Sequence, residues 1–112
     1  MAHLASHMLI SLLIRRVSAA GGFATVVRKG DRDAGAILIL CTENGGNPVI
    51  LEPRSTLRGG REWVPTGPPP DSDIGLQTQY FDRRMRNDPD IWILELDIAM
   101  AAQFAVECLR DG

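Results

Sequence analysis

Asp88-Pro89-Asp90-Ile91-Trp92-Ile93-Leu94-Glu95-Leu96-Asp97, DPDIWILELD, is the stretch whose reading decides the fold. Its first residues are turn chemistry, because Pro89 fixes its own φ and pushes Asp88 out of the helical region. The residues after the turn read as a strand. Trp92, Leu94 and Leu96 fall on one face, and Ile91, Ile93, Glu95 and Asp97 on the other. A strand this apolar on both faces is expected at the centre of a sheet, with earlier elements packed around it.

Upstream, Asp71, Ser72 and Asp73 are capping residue types, and Arg83, Arg84 and Arg86 close the same segment. Both clusters suit a helix macrodipole, and Ile74, Thr78, Phe81 and Met85 supply a stripe at helical spacing. Downstream, residues 98–109 are alanine-rich and read as a final helix, although QFAVEC also alternates as a strand would. Residues 54–70 interrupt the pattern with four prolines, three glycines and three arginines, and read as an irregular Gly/Pro-rich loop. Leu57, Trp63 and Val64 are expected to tuck from that loop onto the core.

In the first half, Ser6 is placed to cap a helix running to about Ala20, stopped by Gly21-Gly22. FATVVRK over 23–29 and AILILC over 36–41 read as two strands of an antiparallel hairpin joined by GDRDAG. Asn44-Gly45-Gly46-Asn47 is a turn leading into a third strand, PVILE. The expectation is therefore an α+β domain of two layers. A mainly antiparallel sheet of about four strands would carry two or three helices.

The segments LISLLIRR, GGFATVVRKGD, AGAILI and DPDIWILELD occur in that order. Together they resemble a group of short alphaproteobacterial proteins, the domain-of-unknown-function family 1491. The resemblance covers about a third of the chain; the Gly/Pro-rich loop and the tail depart from the family pattern. It implies a fold and no mechanism, since the family has no established activity.

Length and composition set the frame for function. One domain of 112 residues is long enough for a core, and 45% hydrophobic with 23% charged residues is ordinary globular composition. A formal net charge of −2 gives no global attraction to nucleic acid. The basic residues are eleven arginines and Lys29, a skew that coding bias in a GC-rich genome explains more readily than selection for bidentate contacts. Cys41 and Cys108 lie in separate apolar runs without metal spacing, as buried reduced thiols of a cytoplasmic protein would. The apolar run 8–14 is too short to span a bilayer, and its arginines come after it, opposite to a secretory signal. The tripeptide SHM fits a cloning scar, so residues 1–7 read as tag-derived or disordered unless the family likeness extends back to Leu4.

His3 and His7 have i, i+4 spacing but no third ligand nearby, and the rest of the chain has no histidine to act as general base. Asp31/Asp33, Asp71/Asp73 and Asp88/Asp90 are turn or cap pairs; Glu95/Asp97 is the one pair on a strand. There is no phosphate loop, dinucleotide fingerprint or nucleophile elbow. No cofactor, metal or catalytic residue is implied. The leading expectation is a non-catalytic cytoplasmic module that binds an unknown protein partner. Self-association is expected too, as a homodimer that covers the second face of the apolar strands or as an edge-to-edge sheet, unless the tail helix does the covering. The alternative is nucleic-acid binding through Arg15, Arg16, Arg28, Lys29 and Arg32, and a loop site is conceivable at Arg54, Arg58, Arg61 and Trp63. An enzyme built on Glu95, Asp97 and those loop arginines ranks third.

Overall fold

The computed structural model describes residues 4–110. Helix α1 spans Ser6–Ala19 and strand β1 Phe23–Arg28; β2 (Ile37–Glu43), β3 (Gly46–Ser55) and β4 (Arg61–Thr66) come next. Then come α2 (Ile74–Asn87), β5 (Trp92–Asp97) and α3 (Ala101–Leu109). The tail is thus helical. The five strands form one sheet in the order β1-β5-β2-β3-β4.

The decisive strand lies where its sequence puts it. β5 pairs antiparallel with β1 and parallel with β2, and every residue from Ile91 to Leu96 except Glu95 is buried. Trp92, Leu94 and Leu96 face a large core built with α1 and α3. Ile91 and Ile93 face a smaller core with Leu38, Ile50 and Tyr80, closed by α2. Helices therefore cover both faces. The expected two layers and four antiparallel strands give way to three layers around a five-stranded mixed sheet.

The correction has a local cause. The segments FATVVRK and AILILC are not a hairpin, because β5 is inserted between β1 and β2. The connection over residues 29–36 is long enough to step across two strand spacings, roughly 10 Å. Placing β5 between two neighbours buries it on both edges as well as both faces.

Residues 54–70 are also more ordered than their composition suggests. β3 runs on to Ser55 and β4 occupies 61–66, paired from Ile50↔Thr66 to Ser55↔Arg61. Pro65 is accommodated because β4 is an edge strand, and Pro53 of β3 lies past the last β2–β3 pair, Ile39↔Leu51. Trp63 is buried on the α1/α3 side and Val64 half-buried, whereas Leu57 stands fully exposed at the hairpin tip.

Turn chemistry elsewhere holds. Asn44 and Gly45 both have positive φ, as a tight two-residue hairpin between β2 and β3 requires. α1 ends in a Schellman motif: Gly22 N–H donates to Val17 O at 2.9 Å and Gly21 N–H to Ser18 O at 3.2 Å, with Gly21 left-handed. The start of α1 differs from expectation. Ala5 holds the cap position without a side-chain bond, and Ser6, the first helical residue, donates its hydroxyl to Gly35 O at 2.6 Å. Gly35 has no room for a Cβ, which would meet the backbone of Asp90 and Asp31. At α2 the cap is Asp73, accepting from Gly75 N–H at 3.3 Å. Its buried stripe is Gln77 and Tyr80, flanked by half-buried Phe81, Arg84 and Met85, while Ile74 is exposed.

Candidate functional site

The residues singled out from the sequence do not assemble into one place. Arg15 and Arg16 are exposed in the last turns of α1. Arg28, Lys29 and Arg32 belong to the other end, where His7 N–H donates to Arg32 O at the start of α1. At 1.5 Å per residue the two groups stand roughly 14 Å apart along the helix. Arg28 is further committed, donating Nη2 to Pro89 O at 2.9 Å. The loop arginines pair locally: Arg54 bridges Glu62 at 2.8 Å, Arg61 stacks over Trp63 at 5.3 Å, and Arg58 is exposed at the hairpin tip. They occupy the β3–β4 edge, with β2 standing between that pair and β5. An active centre joining them to Glu95 and Asp97 is not formed.

The carboxylates at the carboxyl ends of β2 and β5 have structural work. Asp97 accepts Asn44 N–H at 2.7 Å and Gly45 N–H at 3.1 Å, fixing the β2–β3 turn. Glu43 accepts Met100 N–H at 2.7 Å, capping the start of α3. Both line a cleft of about 370 Å³ with Ala20, Gly21 and Phe23. No group of three or more His, Cys, Asp or Glu able to hold a metal occurs among the described residues. His3 lies outside them, and His7 Nδ1 stands 3.0 Å from Arg32 O.

A polar network joins α2 to the sheet. Arg84 Nη1 donates to Glu52 at 2.8 Å and to the Tyr80 hydroxyl at 2.6 Å, and that hydroxyl is 2.9 Å from Thr66 Oγ1. Burial opposes the Arg84 charge, but the bonds to Glu52 and Tyr80 outweigh it and hold the proton more firmly. The network clamps α2 over β3 and β4.

Neither thiol is poised for chemistry. Both cysteines are free and buried, and burial pushes the Cys41 thiol up to about 12. Burial raises Cys108 too, against the opposing pull of Arg16. A thiol deprotonates near 9 when unfolded, so between about 9 and about 12 only the folded state keeps the Cys41 proton and stability falls as pH rises. At pH 8 the native protein is therefore expected to resist alkylation at Cys41, with full labelling in denaturant; mass spectrometry reads both.

What remains is an uncommitted edge. Among the described residues β1 pairs with β5 on one side and with nothing on the other. Phe23 is 75% exposed, Val27 56% and Val26 41%, so three of its six residues are large, apolar and open to water. A bulge at Val27 shifts the pairing between Val26↔Leu94 and Arg28↔Ile93. Sequence reading identified the strand and missed the edge. Arg28-Lys29 closing an otherwise apolar strand is the available signal, since charges are a usual guard of sheet edges.

A family model described as "Protein of unknown function (DUF1491)" matches residues 4–106. Among solved structures, the crystal structure of a DUF1491 family protein from Caulobacter crescentus CB15 is 33% identical with a TM-score of 0.77. The match covers 86% of this chain and 89% of that one. The solution structure of protein Atu0922 from A. tumefaciens is 30% identical, TM-score 0.71, covering 87% of each chain. An NMR structure of a DUF1491 family protein from C. crescentus CB15 gives 33%, 0.70 and 87% of each. No curated protein matches.

Proposed function

The chain belongs to the DUF1491 family, and from that premise we propose that it is a non-catalytic, cytoplasmic protein-interaction module whose contact surface is the edge strand β1. One observation carries the reading: Phe23, Val26 and Val27 are exposed together on a strand with an unpaired backbone edge. Each such side chain gains about 1.5–3 kcal/mol when fully buried, and a partner strand would supply both that burial and main-chain hydrogen bonds. Asp97 and Glu43 are engaged by backbone N–H groups, Arg54 is paired with Glu62 and both thiols are buried, which leaves the β1 edge as the better-supported contact surface. Among the described residues no helix is long and apolar enough to cross a membrane.

Nucleic-acid binding has less support, because the five basic residues divide between two ends of α1. One experiment separates the readings. The protein is immobilised and exposed to a Caulobacter crescentus lysate beside its Val27→Lys variant. Proteins held by the first and lost with the second are the expected result. Identical retention by both would overturn the edge as contact surface. Retention abolished by nuclease, falling steeply with salt and untouched by Val27→Lys, would transfer the function to nucleic acid.

A further inference from the structure

The sequence of β1 is complementary to itself when read backwards. We infer that the partner of this edge is a second copy of the chain, joined by antiparallel pairing of β1 with β1 about a two-fold axis at Thr25. The inference rests on β1 being the contact surface and names what it contacts.

Three constraints set the register. A two-fold axis perpendicular to the sheet keeps each face on the same side, so partner positions must have the same parity along the strand. An axis at Ala24 would set Val26 against Gly22 and leave Val27 beside Gly21; an axis at Val26 would set Ala24 against Arg28 and Phe23 beside Lys29. Only the axis at Thr25 places Phe23 opposite Val27, Ala24 opposite Val26 and Thr25 opposite itself. Aromatic with β-branched and threonine with threonine are favourable cross-strand pairs. That register covers the three apolar residues of β1 that the chain leaves exposed.

Charge agrees with the direction. The end of β1 that begins at Phe23 adjoins the cleft containing Glu43 and Asp97. The other end finishes in Arg28-Lys29. Antiparallel self-pairing brings the basic end of each copy to the acidic end of its mate, with Lys29 carried towards Gly21 on the cleft rim. A parallel arrangement would stack like charges. The bulge at Val27 falls at the end of the five self-paired residues, and Arg28, which rejoins β5 opposite Ile93, lies with Lys29 beyond them, so the two charges flank the paired residues instead of interrupting them. The product is a continuous sheet of ten strands, five from each copy.

The test uses the purified full chain and single cysteine variants at the strand. At the axis, Thr25 meets its own copy with Cβ atoms about 4.5–5.5 Å apart. Thr25→Cys is therefore expected to form a disulfide-linked dimer under mild copper–phenanthroline oxidation at about micromolar concentration, whereas Ala24→Cys and Val26→Cys, each facing a different residue, are not. Native Cys41 and Cys108 are buried and contribute no background. In sedimentation velocity the unmodified protein is expected as a dimer. Val27→Lys is expected to weaken that dimer at least about tenfold, and at a dilution where neither protein associates the two denaturation midpoints should agree, because the side chain is exposed in the monomer. A monomer at about 100 μM, or equal cross-linking at 24, 25 and 26, would overturn the inference. A monomer whose lysate partners still vanish with Val27→Lys would defeat self-pairing alone and leave the proposed contact edge intact.

Discussion

Trp92→Ala is expected to cost about 3–5 kcal/mol of unfolding free energy, at the upper end of single substitutions. Against a total of about 5–15 kcal/mol for a domain of this size, much of the folded population is lost. Two interactions disappear together. The ring is buried in the core shared with α1 and α3, and its Nε1–H donates to Asp31 O at 2.6 Å. That bond ties the strand's first residue to the β1–β2 connection. Beside it, Asp31 N–H donates to Asp90 O and Trp92 N–H to Ala36 O. The start of β5 is thereby pinned between β1 and β2 rather than on an outer edge. Trp92→Phe keeps most of the ring volume and removes only the donor, leaving Asp31 O to find water at the surface. Its expected cost is about 1–2 kcal/mol. Urea denaturation of both variants reads the difference. Equal midpoints for Trp92→Ala and the unsubstituted protein would mean that β5 does not organise the sheet.

How much of this was legible differs from element to element, for physical reasons. β5 declared itself because alternation and β-branched content agree with turn chemistry at Asp88-Pro89. The end of α1 did so because Gly21-Gly22 meets a left-handed requirement that few residues satisfy. Strand order was hidden. Pairing of β5 between β1 and β2 depends on contacts separated by more than fifty residues, and no local signal reports them. β4 was hidden differently: Pro65 and the PPP run after it look like loop, yet an edge strand tolerates a missing donor. The Tyr80–Arg84–Glu52 network had a partial trace in the i, i+4 spacing of Tyr80 and Arg84, while Glu52 joins it only through the tertiary fold. The candidate edge was marked only by Arg28-Lys29 closing the strand, for the same reason as the strand order was hidden. Whether FATVV is central or peripheral depends on what pairs beside it, and its composition suits either place.

Ile93→Ala is expected to destabilise the protein by about 2–5 kcal/mol, and the amount should not change with protein concentration. Ile93 is 2% exposed and packs with Leu38, Ile50, Tyr80 and Ile91 on the face opposite Trp92. The sequence alone left that covering to a second copy, an edge-to-edge sheet or the tail helix. Here α2 supplies it within one chain, clamped by Arg84 to Glu52 and by Tyr80 to Thr66. If another copy closed the face, dilution would expose Ile93 and shrink the penalty, since truncating a residue already in water costs little. With α2 in place, the cavity left by the missing atoms is the same at any concentration. The comparison is cleanest in a Val27→Lys background, where edge pairing is suppressed and association adds nothing to the measured midpoint. Denaturation at about 1 μM and about 50 μM, monitored by tyrosine and tryptophan fluorescence, should then give one value of the difference. A penalty that falls on dilution would return the second face to the interface between copies and demote α2 to a peripheral helix.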